Sequence, residues 1–156
     1  MMPLAIRPAE LRDATAACAL LRRSITELCT ADHHGDPAIL DRWLADKTPE
    51  TVRGWITACG HTLLIANHAD AIVAVGGMTA AGAITLTYVD PSARFQGVST
   101  AMLAALEARL RERGVSRSRL SSTATARGFY HRRGYLDVGR SVAFPSMTDY
   151  HMAKQL

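Results

Sequence analysis

The chain has 156 residues, 48% hydrophobic and 21% charged, a balance that is ordinary for one globular domain and argues against long-range disorder. Lys and Arg exceed Asp and Glu by 18 − 14 = 4, but no run of five like charges suggests a nucleic-acid-binding arm. No stretch approaches the ~20 apolar residues of a membrane span, and three cysteines without a CxxC pair argue against disulfides or zinc. We therefore expect one domain over residues 1–156, in a reducing cytoplasm, with no membrane, nucleic-acid or metal partner.

The first part of the chain predicts one strand and then helices. Leu4–Ile6 is typical of a short strand, and apolar residues at helical spacing predict an amphipathic helix from Glu10 to about Leu28. A polar loop is expected over residues 30–35. Asp36-Pro37 and Thr48-Pro49 each combine an N-cap residue with proline at the first helical position, so two further short helices are expected.

The hydrophobic period then changes to that of strands. Residues 62–67, 72–79 and 83–89 are short, apolar and partly β-branched, which predicts an antiparallel meander. Gly76-Gly77 in the second of these strands predicts a bulge or a close backbone approach. The remaining pattern predicts a helix over 97–113, a strand over 118–122, a helix over 125–133 and closing strands over 138–144 and 150–155.

The resulting element order is β-α-α-β-β-β-α-β-α-β-β. Strands outnumber helices and lie mostly in hairpins, so we expect an α/β (α+β) fold with a mixed, mostly antiparallel sheet and helices on both faces. The strand, helix and strand over residues 83–122 are expected to form a right-handed parallel crossover.

The turn after the third meander strand is the most informative local segment. It passes from Arg94 through Gly97 to Ser99 and Thr100 directly into a helix. Free amides and the positive dipole end at a helix start attract anions, and Gly97 allows a close backbone approach. Neither GxxxxGK[ST] nor GxGxxG occurs in the chain. These residues alone leave an anion site and an ordinary capped turn equally open.

Two motifs resemble those of the GCN5-related N-acetyltransferases. Arg94-x-x-Gly97-x-Ser99 resembles the family's Q/R-x-x-G-x-G/A motif, with Ser99 in place of Gly or Ala. Residues 123–135 resemble its N-x-x-A-x-x-F-Y-x-x-x-G-F/Y segment, although Thr123 replaces the Asn. The matching positions of that segment are Ala126, Phe129, Tyr130, Gly134 and Tyr135. The expected element order also matches this fold from end to end.

The resemblance implies that acetyl-CoA is the acyl-donor co-substrate and that the Arg94 turn binds its pyrophosphate. It also implies that the fourth strand splays from the fifth and that the pantetheine arm pairs with the exposed strand edge. The Thr87 amide would then stabilise the oxyanion, and Tyr130 would give a proton to the leaving thiolate. The implied cofactor-binding residues are Tyr88, Val89, Arg94, Phe95, Gln96, Gly97, Val98, Ser99, Thr100, Thr123, Ala126, Phe129 and Tyr130.

The general base is left open by the sequence. The histone-acetylating branch of the family uses a Glu at a position that is Ala83 here. A histidine of the polar loop, or a water chain leading to Glu27 or Asp32, would supply a base near the acceptor. A solvated loop and a helix cap explain the same residues. The candidates are Glu27 as base and Asp32, His33 and His34 as acceptor-binding residues.

The leading hypothesis is transfer of acetyl from acetyl-CoA to a primary amine of a small-molecule or peptide acceptor. Another acyl group or an alcohol acceptor is the alternative among enzymes. A catalytically silent acyl-CoA sensor is the alternative outside them, and a nucleic-acid-binding module has only the net charge in its favour. A homodimer is common in the family.

Overall fold

The computed structural model describes residues 3–143 and 147–156. The strands are β1 (Leu4–Pro8), β2 (His61–His68), β3 (Ala71–Thr79), β4 (Ala83–Val89), β5 (Arg117–Ser122), β6 (Leu136–Ala143) and β7 (Met147–Gln155). The α-helices are α1 (Ala14–Leu28), α2 (Thr30–His33), α3 (Pro37–Leu44), α4 (Pro49–Thr57), α5 (Val98–Glu112) and α6 (Ala124–Arg132). Short 3₁₀ turns precede α1, at Leu11–Asp13, and follow β4, at Pro91–Ala93.

The described strands form one sheet in the order β1-β2-β3-β4-β5-β7-β6. β4 and β5 are parallel, and the other neighbours are antiparallel. The expected mixed, mostly antiparallel sheet with helices on both faces is therefore confirmed. The α5 connection between β4 and β5 supplies the parallel crossover that the element order predicts.

Alternate residues of β2 face the two layers of the core. Leu63 and Ile65 pack against α1 and α4, whereas Leu64 and Ala66 pack against α5. We call these two sides the α1 face and the α5 face of the sheet. The period of two in side-chain direction explains why a continuous apolar run fits this strand, which is covered on both sides.

The two prolines that follow polar residues mark helix starts, as predicted. The Asp36 side chain accepts a hydrogen bond from Ala38 N, and Thr48 accepts one from Thr51 N. The prediction was wrong at the polar loop, where Thr30–His33 forms the short helix α2. A tertiary contact explains the difference, because Asp32 is bonded to the start of α6.

Strand ends also differ from the predicted bounds. β6 begins at Leu136 and β7 at Met147, two and three residues earlier than expected, because each pairs with the other along nearly its full length. Phe144, which was placed in the first of these strands, lies outside the described residues.

The Gly76-Gly77 prediction is confirmed in both of its forms. A Cβ at Gly76 would lie 2.6 Å from Met102 Sδ, so α5 can approach the sheet only over glycine. The β3–β4 register shifts at the same place, since Gly77 faces Leu86 and Met78 faces Ile84. Thr85 is the extra residue, and a bulge of this kind bends and twists its strand.

The bend separates β4 from β5. Among the described residues, the two strands pair only at Ala83–Arg119 and Ile84–Leu120. β5 continues along β7 to Ser122, whereas β4 runs on to Val89 beside β3. The result is a V-shaped opening in the middle of the sheet, which leaves one backbone edge of β4 free of a strand partner over residues 85–89.

Candidate active site

The opening between β4 and β5 holds a cleft of about 530 Å³. Its walls are the end of α1, the separated part of β4, the turn that follows, and the starts of α5 and α6. The cleft-lining residues include Ser24, Leu28, Cys29, Thr85, Thr87, Tyr88, Val89, Arg94, Phe95, Gly97, Val98, Ser99, Thr100, Thr123, Ala126, Phe129, Tyr130, Arg132 and Arg133. Every residue expected to contact the cofactor is among them except Gln96, whose amide donates to Ser92 O instead.

The turn after β4 is held in place by Asp90. Its carboxylate accepts from Ser92 N at 3.0 Å and from Ser92 Oγ at 2.8 Å, and it pairs with Arg23 of α1. Burial opposes ionisation of this carboxyl, but the Arg23 and Ser92 hydrogen bonds outweigh it and lower the pKa of Asp90. The carboxylate therefore stays charged and fixes the direction in which the turn leaves the strand.

The backbone of the turn after β4 has the conformation of an anion-binding cradle. Phe95 and Gly97 have φ of 63° and 78°, so the chain reverses tightly before α5. The first amides of a helix lack internal acceptors, and those of Val98, Ser99 and Thr100 lie at the cleft wall. A Cβ at Gly97 would have open space around it, which leaves the mouth of this cradle accessible.

Three arginines add positive charge at the same end of the cleft. Arg133 donates to Thr100 Oγ1 from Nε at 3.2 Å and lies 4.3 Å over the Phe129 ring, and Arg94 lies 4.4 Å over the Phe95 ring. Arg132 lines the wall beside them. Guanidinium groups, free helix amides and a free strand edge are the donors that a pyrophosphate with an amide-bearing arm requires. The residues present therefore fit coenzyme A.

Tyr130 lies where the cleft reaches the core. It is 6% exposed and packs edge-to-face against Phe129 and Tyr135. Burial raises the pKa of Tyr130, and a hydrogen bond with Thr87 lowers it only in part. The phenol thus keeps its proton at neutral pH and is available as a donor inside the cleft.

Two other titratable groups on the cleft wall also keep their protons. Burial, with a smaller contribution from Asp32, raises the pKa of the Cys29 thiol to about 12. Burial also raises the pKa of Tyr88, which lies near Cys29, Tyr130 and Trp43. Neither group is therefore a nucleophile or a base at neutral pH.

Asp32 and His33 have structural partners. Asp32 accepts from Ala124 N at 2.7 Å, Thr125 N at 3.2 Å and Thr125 Oγ1 at 2.5 Å, which caps α6. The buried His33 places Nε2 3.1 Å from the carbonyl oxygens of Ile25 and Thr26, and its Nδ1 accepts from Gly35 N. Those contacts require the neutral ring with hydrogen on Nε2.

His34 and Glu27 are exposed. In the part of the chain that the structure describes, none of Glu27, Asp32, His33 and His34 borders the cleft. Thr123 does line it, and its hydroxyl accepts from Ala126 N at 3.2 Å, so this residue also caps α6. The structure thus brings together the cofactor-binding candidates, but not the candidates for base and acceptor binding.

Sequence reasoning missed the α1 side of the cleft, formed by Ser24, Leu28 and Cys29, and also missed Thr85. Ser24 and Leu28 are four residues apart and share one helix face, but nothing in the sequence distinguishes that face from the rest of the core stripe. Thr85 lines the cleft at a bulge of β4, and the position of that bulge depends on the pairing with β3.

Within residues 3–143 and 147–156, no three His, Cys, Asp or Glu side chains are grouped as metal ligands. The same residues include no helix long and apolar enough to cross a bilayer.

Solved structures with the same architecture are numerous. A GCN5-related N-acetyltransferase from Rhodopseudomonas palustris superposes with a TM-score of 0.90 at 24% identity, covering 100% of this chain and 98% of the other. The PaiA N-acetyltransferase of Thermoplasma acidophilum, in complex with coenzyme A, gives 0.80 at 15% identity over 99% and 100%. The ribosomal-protein-S18-alanine N-acetyltransferase of Escherichia coli gives 0.69 at 17% identity over 98% and 94%. At these identities the likeness shows the fold.

The sequence comparisons point to the same group. No curated protein sequence matches the chain significantly. The family profile described as "Acetyltransferase (GNAT) domain" matches residues 29–156, which is most of the chain and includes the whole cleft apart from Ser24 and Leu28 of α1. This family uses acetyl-CoA as co-substrate. The chain belongs to the GNAT family of acetyltransferases.

Proposed function

We propose that this chain transfers an acetyl group from acetyl-CoA to a primary amine by direct attack on the thioester, and that its 156 residues form a single acetyltransferase domain. The observation that carries the proposal is the protonated, buried Tyr130 at the inner end of a cleft whose outer end is an anion cradle. Acetyl-CoA supplies an activated acyl group, and the residues of the chain orient it and move protons around it.

The cofactor end rests on the turn and the free strand edge. Amides at the start of α5, with Arg94, Arg132 and Arg133 nearby, hold the pyrophosphate. The free edge of β4 over residues 85–89 pairs with the pantetheine arm. We assign the Thr87 amide to the thioester oxygen, where a fixed donor stabilises charge that develops during attack.

Tyr130 serves the departing sulfur. A thiolate leaves more readily when a hydrogen bond or a proton reaches it as the C–S bond breaks. Tyr130 faces Thr87 across the cleft, so the donor to the oxygen and the donor to the sulfur are close to each other. This arrangement favours an enzyme over a silent acyl-CoA sensor, because binding alone does not require a proton donor at the inner end.

The acceptor is a small-molecule or peptide amine that enters beside Ser24, Leu28 and Cys29. Asp32 and His33 support this region through their hydrogen bonds to α6 and to the end of α1. Glu27, Asp32, His33 and His34 are outside the cleft lining, so none of them contacts the acceptor directly in this proposal. Cys18, Cys29 and Cys59 are free thiols, which supports a reducing cytoplasm.

The test combines binding and turnover. Calorimetry should show coenzyme A binding to the purified chain. Release of the CoA thiol from acetyl-CoA should depend on an added amine in a panel of benzylamine, p-anisidine, alaninamide, spermidine and kanamycin. Tight coenzyme A binding without amine-dependent release of the CoA thiol would favour a silent acyl-CoA sensor over an enzyme. Nucleic-acid binding that falls steeply with salt and does not change when coenzyme A is added would overturn both the enzyme and the sensor.

A further inference from the structure

His61, at the start of β2, holds a fixed hydrogen-bonding position next to the cleft. Its Nδ1 lies 3.1 Å from the backbone oxygen of Trp55, and its Nε2 lies 2.9 Å from Thr85 Oγ1. A carbonyl oxygen only accepts, so Nδ1 carries the hydrogen in the neutral ring. The lone pair of Nε2 is then directed at the Thr85 hydroxyl, which donates to it.

Thr85 connects that imidazole to the cleft. It is the bulge residue of β4, where the register passes from Ile84 to Leu86, and it is one of the cleft-lining residues. A Cβ at Gly77 would lie 2.7 Å from Thr85 Oγ1 and 3.3 Å from the His61 ring, so glycine leaves room for this pair.

The pair is on the side of the sheet from which an acceptor enters. His61 bonds to α4, which lies on the α1 face, as do the α1 residues at the cleft wall. Tyr130 packs with the core of the α5 face. A group that takes a proton from the amine and a group that gives a proton to the sulfur would thus act from opposite sides of the reacting carbon.

Other proton acceptors are scarce at this wall. Among the cleft-lining residues that the structure describes, the titratable groups are Cys29, Tyr88, Tyr130 and three arginines. Burial keeps the thiol and both phenols protonated, and arginine does not lose its proton. The Thr85 hydroxyl is therefore the path from the cleft to an unprotonated nitrogen.

We propose that Thr85 and His61 form a proton relay for the acceptor amine, an inference that rests on the proposed acetyl transfer. As the C–N bond forms and the C–S bond breaks, the amine N–H donates its proton to Thr85 Oγ1. The Thr85 hydroxyl proton passes to His61 Nε2 at the same time, so Thr85 ends with one proton, as it began. Tyr130 donates a proton to the sulfur, and exchange with solvent returns the His61 proton and restores the phenol.

The contacts of His61 come from three elements, and the charged residues of those elements lie on α4. Its contacts are the Trp55 carbonyl of α4, the Thr85 hydroxyl of β4 and the backbone of β3 at Gly77. β3 and β4 contain no charged residue, and Glu50 and Arg53 of α4 pair with each other at 3.7 Å. The Trp55 carbonyl accepts from Nδ1 whether or not Nε2 carries a proton, so the ring keeps its orientation when Nε2 takes one up.

The kinetic test uses the panel amine that the wild type acetylates fastest. Thr85→Val and His61→Gln are expected to lower kcat about 10- to 100-fold, within or just below the usual range for proton transfer, with an unchanged Kd for coenzyme A. Thr85→Ser, which keeps the hydroxyl, should recover most of the rate. The acid limb of the wild-type kcat–pH profile should disappear in Thr85→Val and His61→Gln.

A second measurement needs neither cofactor nor acceptor. In ¹⁵N NMR of the imidazole nitrogens, the unprotonated nitrogen of neutral His61 should be Nε2, and the Nε2–H tautomer would overturn the relay. Wild-type kcat and pH profile in Thr85→Val would also overturn it. If Thr85→Val and His61→Gln both lost thermal stability and coenzyme A affinity but kept the wild-type kcat–pH profile, the pair would only hold β4 in place. Failure of the proposed acetyl transfer can be distinguished from failure of the relay, because the wild type would then show no amine-dependent release of the CoA thiol.

Discussion

At the scale of single residues, the cleft combines backbone positions in the left-handed region with a buried, protonated side chain. Gly97 is needed for its left-handed φ of 78° and for the open space in front of it. Tyr130 supplies a hydroxyl that stays protonated because burial raises its pKa. Phe95 shows the cost of the turn, since a left-handed φ of 63° disfavours a bulky side chain, and this ring is 90% exposed. Such strain is commonly found at binding turns.

Tyr130→Phe is expected to lower kcat about 10²-fold while the Kd for coenzyme A stays within about twofold, because a proton donor is lost and the ring packing is kept. Steady-state kinetics and calorimetry measure the two effects. Tyr150→Phe is the matched control, since that ring stacks with Arg127 and is not at the cleft wall. Wild-type turnover in Tyr130→Phe would remove the phenol from the mechanism.

Gly97→Glu is expected to weaken coenzyme A binding by about 10²-fold or more, the size of two lost charge-assisted hydrogen bonds. The new carboxylate would project into the cradle and repel phosphate. Gly54→Glu in α4 adds the same charge where a Cβ also meets open space, and calorimetry should give it the wild-type Kd. Unchanged binding in Gly97→Glu would contradict the phosphate-site assignment.

At the scale of elements, the position of α6 decides the geometry of the cleft, because this helix carries Tyr130. Asp32 of α2 and Thr123 both accept from the first amides of α6, so the helix start is tied to the α1–α2 segment. The helix is also tied to β6, because Arg127 and, nearer the helix end, His131 both contact the Asp137 carboxylate. Asp32, a candidate acceptor-binding residue in the sequence, thus has a structural role in holding the helix that carries Tyr130.

Asp32→Ala is expected to lower the free energy of unfolding by about 2 kcal/mol, because two α6 amides and the Thr125 hydroxyl lose their acceptor. Urea denaturation measures this loss. Asp36→Ala removes the N-cap of α3, whose side chain accepts one hydrogen bond from a backbone amide. This change should lower the free energy of unfolding by about 1 kcal/mol without changing kcat. If Asp32→Ala and Asp36→Ala had the same effect on stability and also the same effect on kcat, the Asp32 contact would not be what positions α6.

At the scale of the whole molecule, long-range ion pairs join the layers around the sheet. Arg23 of α1 meets Asp90 after β4, Lys154 of β7 meets the buried Glu107 of α5 at 3.0 Å, and Arg7 of β1 meets Asp13 before α1 at 2.8 Å. The hydrogen bond from Arg7 lowers the pKa of Asp13, against the opposing effect of burial. The Arg7–Asp13 and Arg23–Asp90 pairs therefore link folding to pH, because the pKa of each carboxyl is lowered in the folded chain.

Asp13→Asn tests this linkage. A carboxyl whose pKa is lower in the folded chain stabilises the fold above its unfolded pKa, about 3.9, and that contribution is lost as the pH falls below it. Urea midpoints should therefore be lower for Asp13→Asn than for the wild type at pH 7, and the two should converge toward pH 3. Asp41→Asn, at an exposed position on α3, should follow the wild type throughout. A constant gap between Asp13→Asn and the wild type down to pH 3 would contradict the assignment.

Short-range patterns in the sequence predicted most of the elements and the turn that lines the cleft. These patterns depend only on neighbours along the chain, so they can be recognised without the fold. They are the apolar spacing of strands and helices, the helix starts at Asp36-Pro37 and Thr48-Pro49, and the turn from Arg94 to Thr100. Only the tertiary structure decided where α2 lies, how far β4 and β5 separate and which polar side chains reach the cleft. Asp32 and His33 look available in the sequence, but buried backbone groups from distant segments take up their hydrogen bonds. No local pattern distinguishes His61, but a bulge in another strand places the cleft-lining Thr85 within hydrogen-bonding distance of its ring. Such contacts join residues far apart in the chain, and packing, which no local pattern records, selects them.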